Sequence, residues 1–257
     1  MLSTFFKYRL HVSLCFLVFF LLLNKSIYQG SELWWMAAAF TLLNLSIYLF
    51  NKATDVHEDR VNKDAASQVM VPLLYYSSAL FFLLPLLWLR SNVIVLLIYI
   101  AVGFIGLWYS HVMLGFRLKQ VFLIKNLSAA VIWTVPLVLV GVIEAGISVT
   151  NMALLGVVFL AVLAVEAMWD VRDRKGDAQY KIKTLPNLVG VGWTKIISLG
   201  YLVLGMFFVW KYSLPSNVAI LLAILVVFVV ETHEDRTPAY YNLVLTMWMV
   251  VASFLLF

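Results

Sequence analysis

Charge is scarce in this 257-residue chain: Asp, Glu, Lys and Arg make up 12% of it, against 64% hydrophobic residues. Ordinary soluble domains carry about twice that share of charge, so a soluble globular class is excluded. Cysteine is nearly absent. The single Cys15 lies in an apolar run and has no partner for an internal disulfide. The four histidines and one cysteine fall at no zinc-ligand spacing, which sets zinc aside. There is no heptad pattern and no low-complexity tract. The formal charge of +5 does not signal nucleic acid, because the basic residues flank apolar segments instead of forming an aromatic-interleaved patch. A cleavable leader is also not expected: the apolar stretch Leu10 to Leu23 follows Lys7 and Arg9, but no small-x-small site precedes Asn24-Lys25.

What the chain has in abundance is apolar runs of membrane-spanning length. They predict an all-α, polytopic membrane helical bundle of about nine transmembrane helices, each needing roughly 20 residues. One domain then covers residues 1–257, with no room for a soluble one. The expected spans begin near Phe5 to Leu23, Glu32 to Asn51, Val71 to Leu89 and Val93 to Tyr109. They continue with Val121 to Val142, Met152 to Trp169, Gly192 to Trp210, Pro215 to Val230 and Ala239 to Phe257. Pro136 is expected to kink the fifth. Arg90-Ser91-Asn92 reads as a tight turn, and Asp170 to Asn187 as the longest polar segment. With the N-terminus cytoplasmic, fifteen basic residues fall inside, among them Lys52, Arg60, Arg117, Lys125 and Arg172; Lys25, Arg90 and Lys211 fall outside. This bias sets the orientation, and in a bacterium the membrane would be the plasma (inner) membrane.

The acids are grouped. Glu166, Asp170, Asp173 and Asp177 follow steps of four, three and four, which stack four carboxylates on one helix face over roughly 16 Å. Such a face repels itself unless cations or donors sit among the acids. Glu166 lies at the edge of an apolar segment, where an ionisable group is costly and usually functional. A second series, Asn44, Tyr48, Asn51, Asp55 and Asp59, follows steps of four, three, four and four, again at the end of an apolar run. Two acid-lined helix ends in a membrane chain suggest one shared cation site. Mg²⁺ suits it, since that ion takes oxygen ligands, keeps several waters and pairs one or two carboxylates with substrate phosphates.

At these residues the chain resembles the UbiA superfamily of intramembrane prenyltransferases. The family's Asn-Asp-x-x-Asp-x-x-x-Asp motif is matched by Asn51-Lys52-Ala-Thr-Asp55-Val-His-Glu-Asp59. Its second motif is matched by Glu166, Asp170, Asp173 and Gly176-Asp177, followed by Thr184-Leu185-Pro186. Tyr109-Ser110, Arg117-Leu118-Lys119 and Lys125-Asn126 are similar to its central loop. The chain departs from the pattern where Lys52 replaces the usual second acid, a change expected to remove one metal or water contact. Val56 stands where many members have arginine, and Tyr180-Lys181-Ile182-Lys183 replaces a glycine-bearing loop.

The resemblance implies Mg²⁺-dependent transfer (Mn²⁺ as substitute) of a prenyl group from a polyprenyl diphosphate to a lipid-soluble, usually aromatic, acceptor. It places Asp55, Asp59, Asp173 and Asp177 at the catalytic centre. Asn51, Asp55, Asp59, Asp173 and Asp177 would hold metal, with Asp170 either a ligand or the holder of a basic partner. Lys119, Lys125, Lys181 and Lys183 are the expected phosphate contacts, Arg117 less so. Tyr109, Ser110, Asn126 and Glu166 are the further expected substrate contacts. Tyr48, Tyr109 and Trp169 would face a cation or anchor the interface; His57 and Glu58 would move a proton or form a solvated face. Two other readings compete. A membrane terpene cyclase would use the same metal site without an acceptor. A transporter would show helices broken near mid-membrane, whereas these acids crowd one interface.

Overall fold

The computed structural model describes residues 10–28, 34–61, 68–144 and 148–256. Lys7, Arg9, Lys63, Asp64 and the expected span start at Glu32 lie outside them. The first helices are α1 (Leu10–Tyr28), α2 (Trp34–Thr54), α3 (Val56–Val61), α4 (Val71–Leu83), α5 (Leu86–Leu89) and α6 (Val93–Ser110). After them come α7 (Ile124–Glu144), α8 (Val149–Gln179), α9 (Leu185–Leu188), α10 (Gly190–Lys211), α11 (Ser216–Glu231) and α12 (Pro238–Leu256). Among the described residues there is no strand, only a bridge between Met113 and Phe116. The fold is all-helical.

Each of the nine apolar runs coincides with helix, and the differences have local causes. The third run is interrupted at Pro85, which has no N–H to give; α5 resumes with Leu89 N–H donating to the Pro85 carbonyl at 3.0 Å. Pro136 sits within α7. The turn between α5 and α6 ends on Asn92, whose side chain accepts from the Val95 amide at 3.2 Å and caps α6. The sixth run overshoots its expected end at Trp169: α8 continues to Gln179, so the first ten residues of the expected polar segment are helix.

Four helical segments, Gln68–Leu89, α6, α8 and α10, are long and apolar enough to cross a membrane, with mean hydropathies of 1.5 to 2.3. α1, α2, α7 and α12 have 19 to 21 residues, and α11 has 16. Nine crossings therefore exceed what length and apolarity establish. Exposed rows of apolar residues, such as Leu73, Leu80 and Leu87 on α4 and α5 or Trp193, Ile196 and Phe207 on α10, suit lipid and would be a liability in water.

Two contacts set the site's frame. Ser46 of α2 and Ser78 of α4 exchange hydrogen bonds, each hydroxyl donating to the other's carbonyl at 2.8 and 2.9 Å, a polar tie useful between membrane helices. On its other side α2 meets α6 at Gly106, where an added Cβ would fall 2.4 Å from Ile47. That close approach brings the end of α6 beside the end of α2.

Candidate functional site

The loop after α6 supplies the cations. Gly115 has φ +84°, a conformation that favours glycine, and lets the chain fold back so that Met113 and Phe116 pair. The Trp108 indole N–H donates to the carbonyls of both, at 3.2 and 3.1 Å. The Arg117 amide then donates to the Gln120 side chain at 3.1 Å. This turn carries Arg117 and Lys119 onto α3, with Lys119 only 2% exposed.

The first acidic arm spans the junction of α2 and α3. The backbone pauses at Asp55, yet the helical ladder runs through it: Asp55 N–H donates to Asn51 and Asp59 N–H to Asp55, at 2.9 and 2.8 Å. Thr54 causes the local distortion by bonding back to the Phe50 and Asn51 carbonyls at 3.1 and 3.0 Å. Lys119 meets Asp55 at 2.5 Å and also pairs with Glu58, while Arg117 lies 2.8 Å from Glu58 and 3.7 Å from Asp55. Lys52, 1% exposed, holds Asp59 at 2.7 Å. Ser110 at the end of α6 donates to the Asn51 side-chain amide oxygen at 2.7 Å. Burial pushes the Asp55 carboxyl up to about 6; Lys119 opposes this and the charge of Glu58 adds to it. Burial also acts on Glu58, but Lys119 and Arg117 together outweigh it and hold that carboxyl below its ordinary value.

The second arm is one uninterrupted stretch of α8. Lys125, at the start of α7, bridges Asp170 and Asp177, each at 2.7 Å. Asn126 donates to the other Asp170 oxygen at 3.0 Å. Arg172 grips its neighbour Asp173 through two hydrogen bonds of 2.7 and 2.5 Å and lies over the rings of Trp169 and Tyr241. The helix ends in a left-handed cap. Lys181 has φ +56°, and the Ile182 amide donates to the Asp177 carbonyl at 2.8 Å.

The two arms and the loop line one open-mouthed cavity. Of the expected site residues, Asn51, Asp55, Asp59, Tyr109, Lys119 and Lys125 face it from one side, and Glu166, Asp170, Asp173 and Asp177 from the other. Ser110 and Asn126 stand behind them, orienting Asn51 and Asp170. Asp170 holds a basic partner, Lys125. Lys181 and Lys183 are exposed and do not line the cavity, because the cap turns the chain away there. His57 is likewise exposed, while Glu58 beside it is buried and lines the cavity. Glu58 and Lys52 are the residues whose place in the ion-pair set the sequence reading missed. The one available signal was that Glu58 lies three residues after Asp55, on the same helical face. Among the described residues, no three His, Cys, Asp or Glu side chains converge as a ready metal-binding group; the carboxylates face lysine and arginine instead.

Two further chambers adjoin this mouth. Asn51, Tyr109, Glu166 and Trp169 belong both to the mouth and to a small chamber that runs up to Asn44 and Tyr48. Glu166 and Trp169 also border a third small space toward Val158 and Trp248.

Solved structures share this architecture. A UbiA homologue from Archaeoglobus fulgidus bound to GPP and Mg²⁺ aligns with a TM-score of 0.73 at 15% identity, covering 98% of this chain and 96% of that one. The same homologue bound to DMAPP and Mg²⁺ gives 0.68 at 13% identity, covering 98% of both chains. A digeranylgeranylglyceryl phosphate synthase gives 0.60 at 17%, covering 95% of this chain and 91% of the other. No curated protein matches the sequence. The family model described as the UbiA prenyltransferase family matches residues 12–256, nearly the whole length. With its long apolar helices, the chain is an integral membrane protein and belongs to the UbiA prenyltransferase family.

Proposed function

We propose that this protein transfers a prenyl group from a polyprenyl diphosphate to a lipid-soluble acceptor, with Mg²⁺ bound between the two acidic arms. The observation that carries the reading is the single cavity lined by Asn51, Asp55 and Asp59 on one side, Asp173 and Asp177 on the other, and Lys119 and Lys125 among them. The donor set is all oxygen, which suits Mg²⁺ and not zinc. The relatives bound to GPP or DMAPP with Mg²⁺ support the same assignment. Mg²⁺, when bound, neutralises the charge that develops on the departing diphosphate.

The chain's own part is an exchange of partners. Lys119 now rests on Asp55 and Glu58, and Lys125 on Asp170 and Asp177. A diphosphate entering the mouth draws both ammonium groups to its oxygens, freeing Asp55 and Asp177 as ligands. Lysine suits this role because its charge has no fixed fork geometry to rebuild. Asp170 keeps the hydrogen bond from Asn126 and stays a positioning group. Glu166, at the inner edge of the mouth, accepts a hydrogen bond from an acceptor hydroxyl and orients it. As a single domain the chain crosses the membrane nine times with its mouth cytoplasmic; labelling after Gln120 and after Lys183 should report that same side.

The test is purified protein with isotope-labelled prenyl diphosphates of several lengths, with and without a host lipid extract. Release of diphosphate that needs both extract and Mg²⁺, stops in EDTA and returns with Mn²⁺ is the expected result. Full turnover in EDTA would sink the metal assignment. A cyclic hydrocarbon or terpene alcohol formed without extract would make the protein a cyclase.

A further inference from the structure

Residues 111–123, between α6 and α7, face two ways. Their cations turn inward, where Arg117 and Lys119 reach Asp55 and Glu58. Apolar side chains turn outward: Val112 is 56% exposed, and Leu114, at the tip of the hairpin, 84%. A single exposed leucine says little, since much of any protein surface is apolar. Leu114 is different because its backbone sits at φ +53°. There its Cβ crowds the carbonyl, and glycine or asparagine costs less. Leu123, at the other end of the loop, repeats the combination with φ +65° and 43% exposure. A turn in water gains nothing from a strained leucine held in solvent. An apolar surrounding makes the side chain useful and offsets the strain.

The place of the hairpin says which surrounding that is. α6 has 18 residues, about 27 Å of helix against a hydrocarbon core of about 30 Å. Leu97, Ala101, Phe104 and Trp108 form one stripe along it, at steps of four, three and four. The first three are exposed, as suits a face against lipid. Trp108 ends the stripe, its ring 5.9 Å from that of Phe104 and 5.2 Å from that of Phe116. Its N–H holds the base of the hairpin through the Met113 and Phe116 carbonyls. The hairpin thus prolongs the lipid-facing stripe of α6. It does so at the level where hydrocarbon gives way to head groups, which tryptophan favours in membrane proteins.

We infer that the hairpin of residues 112–116 is an interfacial anchor, with Val112 and Leu114 inserted among the lipids of the leaflet on the side of the mouth. The partner is the bilayer itself, because the hairpin continues a surface that lipid already covers. Membrane contact then holds the outer side of the loop, while Asp55 and Glu58 hold its inner side through Arg117 and Lys119. Lifting the tip out of the bilayer frees the outer side and loosens both cations from the first acidic arm. None of this depends on which reaction the protein catalyses.

The experiment uses the full chain in nanodiscs, with the buried Cys15 replaced by alanine and one spin label at a time. Leu97→Cys supplies the lipid reference. Asp235→Cys, exposed in the loop between α11 and α12, supplies the water reference. Collisions with oxygen, which concentrates in lipid, are compared with collisions with a neutral nickel chelate, which concentrates in water. At Leu114→Cys the oxygen-to-nickel ratio should shift away from the Asp235 value and lie nearer to the Leu97 value. A ratio at the Asp235 end overturns the inference. So does a label shielded from both reagents, which would mean that another protein or a second copy covers the tip.

A second arm separates anchoring from turn geometry. Leu114→Asn keeps a residue suited to left-handed backbone and removes the apolar side chain. If Leu114 served only the turn, this variant would tighten the loop. An anchor predicts the opposite: tryptic cleavage after Arg117 or Lys119 in nanodiscs should rise about fivefold or more. Leu114→Met, which stays apolar, should cleave within about twofold of the unaltered chain. An unchanged or slower rate in Leu114→Asn overturns the inference.

Discussion

The two acidic arms meet in one mouth but are built differently. The second lies on an unbroken helix, so its carboxylates sit at fixed helical intervals and its principal counter-ion, Lys125, comes from the neighbouring α7. The first crosses a helix junction, and its counter-ions come from two places: Lys52 within the arm, and Arg117 and Lys119 from a loop about sixty residues away. The contrast separates a rigid partner from an adjustable one. The α8 arm is a fixed row of carboxylates. The Asp55 arm depends on how the loop after α6 closes on it, and that loop is shaped by Gly115 and Trp108.

The largest effects should come from removing one ligand on each arm. Asp55→Ala and Asp173→Ala are each expected to lower kcat by about 10³-fold or more, since the charge they help to offset is greatest in the transition state. Both variants should still insert and elute as monodisperse protein. Loss in one variant with near-normal turnover in the other would break the idea that the arms share a site.

Removing the counter-ions should separate the arms in stability. Lys125→Met leaves Asp170 and Asp177 facing one another without their shared cation, a loss of about 3–5 kcal/mol for a buried pair. Lys119→Met leaves Arg117 beside Glu58 and Asp55, so about 1–3 kcal/mol is expected. Thermal unfolding in detergent measures both, and equal losses would mean that the α7 lysine is no more central than the loop lysine.

Smaller effects should follow from the neutral donors behind each arm. Ser110→Ala unfixes Asn51, and Asn126→Ala unfixes Asp170. Loss of such an orienting hydrogen bond is expected to cost about tenfold in metal affinity, read as a raised Mg²⁺ requirement with kcat little changed. If kcat falls and the Mg²⁺ requirement does not move, these side chains touch the substrate instead of positioning ligands.

Legibility in the sequence follows the same division. The face bearing Glu166, Asp170, Asp173 and Asp177 could be read from spacing because α8 is regular across all four. Beyond its end the regularity is lost: Lys181 and Lys183 sit past a left-handed cap and are exposed, where helical spacing no longer tells direction. On the first arm the spacing of Asn51, Asp55 and Asp59 survives the junction because the hydrogen-bond ladder does. The spacing put Glu58 on the face of Asp55, but its burial was not legible, since that depends on Arg117 and Lys119 arriving from a distant loop. Lys52 stood out only as a departure from a pattern; that it lies buried against Asp59 is a tertiary fact.

The smallest expected effect is a change in pH dependence, and its response to Glu58 probes the adjustable arm. Asp55 is raised to about 6 by burial, with Glu58's charge adding to the shift, whereas Glu58 is lowered. A raised carboxyl pKa means that the protonated form is populated at pH 5 and scarce well above pH 6. A metal ion binding there must displace that proton, so apparent Mn²⁺ affinity should rise with pH up to about 6 and then level off, with the Asp55 proton contributing about tenfold per unit on the acid side. Glu58, held below its ordinary value by Lys119 and Arg117, adds no break near pH 6. Glu58→Gln deletes the like charge that pushes Asp55 upward and leaves Lys119 with one carboxylate to serve. Both changes favour ionised Asp55, so the break in the profile should move to lower pH, by less than about one unit. The measurement is Mn²⁺ binding by electron paramagnetic resonance across pH 4.5 to about 8, which needs no turnover. A break that stays in place in Glu58→Gln would mean that burial alone sets Asp55, and a break that moves upward would mean that Glu58 serves chiefly to hold Lys119 against it.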